Sequence, residues 1–276
     1  MFDNHTHSQY SCDIPLGEGN SIREMCQAAL DMGLSGIAIT DHYDIDGMLD
    51  GHYPMLDSVS IAREIAEAKE EFAGRLVVCH GIELAQANQY PKEATEKANS
   101  QDYDIVLGSL HTVRGMYDFG TSDILGFGRE GYIKLWDTYL SDMLEVIKWG
   151  NFDVLTHITY PKRYYLKQGV PDDFPDIKNK GREYFEPILK AVIENGFALE
   201  CNTSGLRQGM YECLPNEDLF RFYYELGGRD VSLGSDAHFK RHVAADFKEA
   251  SEMLNSIGFE YLCKFESRKK DYYKIK

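Results

Sequence analysis

Residues 104–111 read DIVLGSLH, a short apolar run that ends in a histidine. An apolar run of this length without polar alternation is typical of a strand buried on both faces, and such strands belong to parallel sheets. In a parallel barrel the carboxyl ends of all strands meet at one rim, where functional side chains collect. His111 therefore marks a rim at which further polar residues are expected.

Further runs of the same kind recur along the chain. Together they give seven predicted strands, at 2–5, 36–40, 76–83, 104–110, 153–157, 197–202 and 230–234. Helical patterns lie between the strands, after Ser21 and at 58–72, 132–149, 181–195 and 216–226. Alternating strands and helices predict a parallel sheet. Seven strands favour a closed or nearly closed barrel, and an open doubly wound sheet is the alternative.

Local signals support these helices. Ser21 and Glu24 have the capping-box spacing that begins a helix. Glycine, which adopts the left-handed conformation of a helix C-terminus at little cost, stands where four helices should end, at positions 33, 150, 196 and 227. Segments 84–102 and 112–130 show no regular period and are expected to be irregular. No repeat or Pro/Ser-rich linker divides the chain, so one domain over 1–276 is expected.

Histidine or acidic residues stand at the ends of six of the seven predicted strands. His5 and His7 are two apart, so both point to one face of the first strand. Residues of the same kind follow the other five of these strands: His42, Glu83, His111, His157, Asp236 and His238. Imidazole and carboxylate groups are ligands of divalent metal ions, so a metal site is predicted at the rim. His52 and His242 are expected on the polar surface, and His80 between strand and helix.

The donors exceed what one ion needs. Six histidines with Glu83, Asp236 and Asp13 make nine donors, whereas a zinc-like ion takes about four to six. Two or three ions are therefore expected, with Glu83 as the natural bridge. Clustered divalent ions lower the pKa of a shared water and stabilise attacking and leaving oxygens in phosphate-ester hydrolysis. The pattern predicts a metal-dependent hydrolase whose nucleophile is a metal-bridging hydroxide.

Composition limits the partners. Lysine and arginine number 29 against 45 acidic residues, a formal net charge of −16. Nucleic-acid binding needs a positive footprint, so no nucleic-acid partner is expected, although metal ions allow an anionic substrate. No apolar stretch reaches membrane-spanning length. Six scattered cysteines without a CxxC pair or a secretory leader indicate a cytoplasmic protein with reduced thiols. The oligomeric state stays open.

The residues at the strand ends resemble the polymerase-and-histidinol-phosphatase (PHP) family over nearly the whole chain. The matching segments are His5-Thr6-His7, Thr40-Asp41-His42, Gly81-Ile82-Glu83, Ser109-Leu110-His111, Thr156-His157 and Gly234-Ser235-Asp236-Ala237-His238. Their order and spacing are specific in combination. The resemblance implies a distorted (β/α)7 barrel, similar to a TIM barrel, with a trinuclear site at the C-terminal ends of the strands. It implies one PHP-type domain over residues 1–276.

The resemblance also divides the ligands among three ions. The implied sets are His5, His7, Glu83 and Asp236 for the first ion, Glu83, His111 and His157 for the second, and Asp13, His42 and His238 for the third. Some relatives have histidine where this chain has Asp13. The family uses Zn, Mn or Fe, and these ligands do not choose among them.

Two segments resemble the monofunctional L-histidinol-phosphate phosphatases within the family. They are residues 157–163, HITYPKR, and residues 199–207, LECNTSGLR. In such enzymes the arginine after the fifth-strand histidine contacts phosphate, and Arg163 matches it. Arg207 is a second phosphate-binding candidate, with Asn202 near the same rim. The forked guanidinium group suits phosphate because it binds two oxygens at once.

These residues are compatible with three functions. The first is hydrolysis of L-histidinol phosphate to L-histidinol and phosphate in histidine biosynthesis, in which Arg163 neutralises the phosphoryl oxygens and Asp236 or His238 handles the leaving-group proton. Residues considered for the ammonium and imidazole of that substrate are Asp44, Tyr117 and Asp118. The second function is another PHP phosphoesterase acting on nucleotides or small phosphate esters. The third is a non-catalytic metal-binding domain.

Overall fold

Seven parallel strands form a barrel in the computed structural model of the protein, which describes residues 1–116, 119–170 and 182–275. In barrel order they are β1 (Phe2–Thr6), β2 (Gly36–Ile39), β4 (Val77–Ala85), β5 (Ile105–Ser109), β6 (Val154–Leu155), β7 (Ala198–Asn202) and β8 (Val231–Gly234). A short strand, β3 (His42–Asp44), follows β2 and pairs with the upper half of β4.

The barrel closes between its first and last strands. The amide of Asp236 donates to the carbonyl of His5 at 2.8 Å, and the amide of His7 donates to the carbonyl of Ala237 at 2.9 Å. A parallel bridge joins Thr6 to Ala237 at the same seam. These bonds confirm the predicted barrel and exclude the open doubly wound sheet.

Helices cover the outside of the barrel. Their bounds are α1 (Ile22–Asp31), α2 (Ile45–Leu49), α3 (Ser58–Glu71), α4 (Pro91–Ala98), α5 (Gly128–Trp149), α6 (Lys162–Lys167), α7 (Arg182–Asn195), α8 (Ser204–Arg207), α9 (Glu217–Glu225) and α10 (Phe247–Ile257). The capping box of Ser21 and Glu24 is present. The four predicted capping glycines have positive φ, between 71° and 96°. In the described residues no helix is both long and apolar enough to cross a membrane.

The sequence analysis predicted that segment 84–102 is irregular. This prediction was wrong, because the segment contains α4. This helix begins at Pro91, whose fixed φ and missing N–H suit a first helical position. The segment is too short and polar to show a clear helical period. Within 112–130, a 3-10 turn at Leu125–Phe127 leads directly into α5.

The barrel interior is apolar at the N-terminal end of the strands and polar at the C-terminal end. The apolar cluster is Phe2, Ala38, Cys79, Ile105, Leu107, Val154, Ala198, Cys263 and Phe265. The last two members belong to a C-terminal antiparallel hairpin, β9 (Tyr261–Glu266) and β10 (Lys269–Lys274). The hairpin covers this end, and Asn4 Nδ2 donates to the carbonyl of Cys263 at 3.2 Å. Chemistry is therefore confined to the opposite end of the barrel.

Candidate metal centre

Glu83, on β4, is fully buried at the centre of the polar end. Five histidine nitrogens surround its carboxylate: Oε2 lies 3.2 Å from His5 Nε2, 3.6 Å from His7 Nε2 and 2.9 Å from His42 Nδ1, and Oε1 lies 3.2 Å from His111 Nε2 and 2.9 Å from His157 Nε2. Each oxygen therefore faces a different group of imidazoles. This is the geometry expected of a carboxylate that bridges two ions.

The remaining predicted ligands complete the cluster nearer the cavity mouth. Asp236 Oδ1 lies 3.3 Å from His7 Nε2 and 3.5 Å from His238 Nδ1. Asp13 Oδ2 lies 2.7 Å from His238 Nε2 and 3.7 Å from His42 Nε2. Asp236 adopts a φ of 53°, an uncommon conformation that concentrates at functional sites. All nine residues predicted as ligands thus lie in one cluster, and their division among three ions stays a prediction.

The donor set fits several divalent metal ions. Four groups each present ligand atoms within 4.8 Å of one another: His7, His42 and His238; His5, His7 and Glu83; His5, His157 and Glu200; and His42, Glu83 and His111. The Nε2 atoms of His5 and His7 are only 3.1 Å apart, and a shared cation accounts for two ring nitrogens aimed at one point. Nitrogen and carboxylate donors suit Zn, Mn or Fe.

Electrostatics keep the two central carboxylates ionised. Burial favours the neutral acid, yet His42, His5 and His111 hold the pKa of Glu83 well below its usual range. Burial likewise opposes ionisation of Asp236, but its contact with His7 and the charge of His5 hold its pKa well below the ordinary value. Both groups are anionic at neutral pH, which is the form that binds cations.

His7 and His42 differ in their protonation at neutral pH. Burial, with the nearby His238 and His42, lowers the pKa of His7 to about 3. Burial acts in the same direction on His42, but the carboxylates of Glu83 and Asp13 raise its pKa to about 9. His7 is therefore neutral at pH 7. His42 carries a proton that a metal ion must displace, so binding releases protons and weakens as pH falls.

A cavity of about 460 Å³ opens above the cluster, and Arg163 and Arg207 line it. The guanidinium of Arg163 packs over the ring of Tyr160, 4.6 Å from its centroid, and donates to Gln208. Arg207 Nη2 donates to the carbonyl of Asp236 at 2.7 Å. Two forked cationic groups and the metal ligands therefore face one space.

Asn202 lies beneath the cavity. Its side chain is fully buried, and Nδ2 is 3.2 Å from Glu200 and 3.4 Å from Asp236 Oδ2. It is not among the residues that line the cavity. This position suits support of Asp236 better than the predicted phosphate contact.

Three further residues were predicted candidates for substrate contact, and Asp44 is the one that the structure describes. Asp44 bonds His111 Nδ1 at 2.8 Å and is absent from the cavity lining. Tyr117 and Asp118 fall outside the described residues.

The three remaining histidines have different environments. His52 is exposed, as predicted, and His80 is buried against the ring of Tyr103, away from the cluster. His242 is not a plain surface residue, because it is half-buried and lines the cavity. The sequence alone did not indicate this, since the loop from Ala237 that carries it turns back over the rim.

Sequence reasoning missed Glu200, a buried carboxylate on β7. Its Oε1 lies 2.6 Å from Nδ1 of His5, and Oε2 accepts from the amide of His157 at 2.8 Å. Alternation along β7 puts Glu200 on the same face as Asn202. The signal in the sequence that could have identified Glu200 is the presence of an acidic residue within an apolar strand.

A closed α/β barrel with a carboxylate-bridged cluster of histidines at its C-terminal rim defines a barrel metalloprotein with a polynuclear centre. The PHP domain family model matches residues 3–204. The chain belongs to the PHP family, as the resemblance at the strand ends predicted.

Relatives match along nearly their full length. The chain is 32% identical to the probable histidinol-phosphatase of Deinococcus radiodurans, over 94% of this chain and 94% of that one. It is 25% identical to the probable histidinol-phosphatase of Clostridium acetobutylicum, over 99% of each. The crystal structure of histidinol phosphate phosphatase from Lactococcus lactis, complexed with zinc, L-histidinol and phosphate, shares the fold, with a TM-score of 0.82 at 24% identity over 98% of each chain.

Proposed function

We propose that this protein is a metal-dependent phosphomonoesterase that converts L-histidinol phosphate and water to L-histidinol and phosphate, a step of histidine biosynthesis. The observation that carries the proposal is a single cavity lined by metal ligands and by two arginines, Arg163 and Arg207. The names of the full-length relatives support the same substrate.

The nine clustered residues would hold two to three Zn, Mn or Fe ions, in the sets given above. When bound, such ions supply an activated water and neutralise charge on phosphoryl oxygens. Glu83 would bridge two of them, because its two oxygens face different histidines. Its full burial keeps solvent from competing for those oxygens.

The arginines would orient the phosphate. Arg163 is held over Tyr160 and Arg207 against the Asp236 carbonyl, so both are fixed before substrate arrives. Preorganised cations stabilise charge as it develops without reorganising during the reaction.

Asp236 and His238 line the cavity. In the proposed reaction these two residues would handle the proton of the leaving alkoxide. Burial disfavours a charged His238, but the contact with Asp13 raises its pKa above the ordinary value. The pKa of Asp236 is held well below its usual range. In the metal-free chain His238 therefore favours the protonated form and Asp236 the ionised form.

A substrate panel tests the assignment. We expect kcat/KM for L-histidinol phosphate to exceed that for p-nitrophenyl phosphate and for a set of nucleotides by at least about 10²-fold, since a site that pairs with polar groups of its substrate discriminates strongly against analogues that lack them. Equal values across the panel would contradict the specificity while leaving a phosphoesterase. Preference for a nucleotide would assign a different PHP activity.

Arg163→Ala is expected to lower kcat/KM for L-histidinol phosphate by about 10²-fold, because loss of one preorganised donor to a developing oxyanion costs about that much. Metal content should stay unchanged, as measured by atomic emission. Lys162→Ala is the matched control, since Lys162 lies on the same helix but pairs with Glu212 and does not line the cavity. An equal loss in both variants, or loss of metal, would contradict the role of Arg163.

The proposal extends to partners and location. A small phosphate ester is the partner, and an acidic chain with net charge −16 disfavours nucleic acid. All six cysteines are free thiols, and five are buried. Free thiols in this number support a cytoplasmic protein.

A further inference from the structure

We propose that Glu200 is a positioning residue that fixes the tautomer of His5 so that Nε2 is the metal-binding atom. This inference rests on the proposed metal-dependent function. The two side chains are almost wholly buried, and Glu200 Oε1 lies 2.6 Å from His5 Nδ1. At that distance and burial the pair forms a strong hydrogen bond from the ring N–H to the carboxylate.

The consequence lies at the opposite nitrogen. A metal ion must displace the proton from the nitrogen that it binds, so a metal-bound His5 keeps one ring hydrogen, and a hydrogen on Nδ1 leaves the lone pair on Nε2. That Nε2 is 3.2 Å from Glu83 Oε2 and 3.1 Å from His7 Nε2, at the centre of the ligand cluster. The other tautomer would aim an N–H at the same point and exclude a cation.

Both carboxylate oxygens of Glu200 face hydrogen-bond donors of the protein. Oε2 accepts from the amide of His157 at 2.8 Å and from Asn202 Nδ2 at 3.2 Å, while Oε1 faces His5. With its acceptors engaged in this way, Glu200 acts through His5 instead of binding an ion itself. Carboxylates behind ligating histidines commonly fix ring orientation and increase ligand basicity.

The neighbouring strand makes room for this pair. A Cβ atom at Gly234 would lie 2.1 Å from Glu200 Oε1 and 2.7 Å from His5 Cβ. Only glycine at this position of β8 lets Glu200 on β7 reach past β8 to His5 on β1. The close approach is independent of the hydrogen-bond geometry and points to the same pair.

Glu200→Gln tests the inference in the full chain. An amide offers one acceptor oxygen, so it cannot accept from both the His5 ring and the His157 amide, and an NH₂ group facing His5 would favour the wrong tautomer. We expect zinc affinity, measured by competition with a chromogenic chelator, to fall about 10- to 100-fold, as for loss of other outer carboxylates.

Asp153→Asn is the matched control. Asp153 is also a mostly buried carboxylate that accepts from a barrel amide, that of Val106, but it lies at the start of β6, at the other end of the barrel. This variant should keep wild-type zinc affinity even if its unfolding midpoint drops. An equal fall in both variants would assign Glu200 a structural role only and overturn the inference.

A second measurement needs no variant. In the ¹⁵N spectrum of the zinc-loaded wild-type chain, His5 should show a protonated Nδ1 and a zinc-bound Nε2. Zinc on Nδ1 of His5, or wild-type zinc affinity in Glu200→Gln, would overturn this inference alone. A wild-type chain that bound none of zinc, manganese and iron would overturn the proposed function as well.

Discussion

Glu83→Gln is expected to lower kcat/KM for L-histidinol phosphate by about 10³-fold or more and to reduce the number of bound metal ions. The carboxylate faces five histidines through two oxygens, and an amide keeps one weak oxygen ligand and turns an NH₂ group towards the other imidazoles. Loss of bridged ions removes several kcal/mol of transition-state stabilisation, and each 1.36 kcal/mol is about tenfold in rate.

Initial rates with L-histidinol phosphate and atomic emission on the same samples check the expected losses. Glu96→Gln is the control, because Glu96 is an exposed acid on α4 that pairs only with Lys92 among the described ion pairs. This control should keep wild-type activity and metal content. Full metal occupancy with full activity in Glu83→Gln would contradict the role of Glu83 as a bridge.

Removal of divalent ions with a strong chelator should reduce hydrolysis of both L-histidinol phosphate and p-nitrophenyl phosphate to the rate without enzyme. The proposed phosphate-binding residues, Arg163 and Arg207, would bind and orient phosphate but would not supply an activated water. Zinc, manganese and iron, added back one at a time, should restore activity to different extents, which identifies the preferred metal. Sustained activity in the metal-free chain would contradict metal dependence.

Circular dichroism distinguishes loss of metal from loss of fold in that experiment. The apolar end of the barrel, including Phe2 and Phe265, is remote from the ligands and packs without them. The metal-free chain should therefore keep its helical signal. Collapse of that signal on chelation would mean that metal removal acts through unfolding.

The barrel was predictable because its strands carry strong local signals. The predicted strand at 104–110 and the observed β5, Ile105–Ser109, differ by one residue at each end. Capping signals such as Ser21 and Gly150 marked helix ends, and the structure confirms them. These features depend on residues that are close together in the sequence, so a single sequence is enough to predict them.

Features that depend on distant contacts were not predictable. The C-terminal hairpin is rich in charged and aromatic residues without a clear pattern, and its role is evident only from the position of Phe265 in the barrel interior. The histidine ligands were visible because strand ends converge in any parallel barrel. Glu200 was hidden because its partner, His5, lies two strands away around the barrel and far away in sequence, and is reached through the space left at Gly234.

The seam that closes the barrel joins segments that are far apart in sequence, where the amide of Asp236 donates to the carbonyl of His5. During synthesis the segment with His5 leaves the ribosome well before the segment with Asp236 and His238. Contacts this distant in sequence form late because loop closure must come first. The complete ligand cluster therefore forms only after both segments have been made, and ions bound to it would stabilise the folded state over the unfolded one.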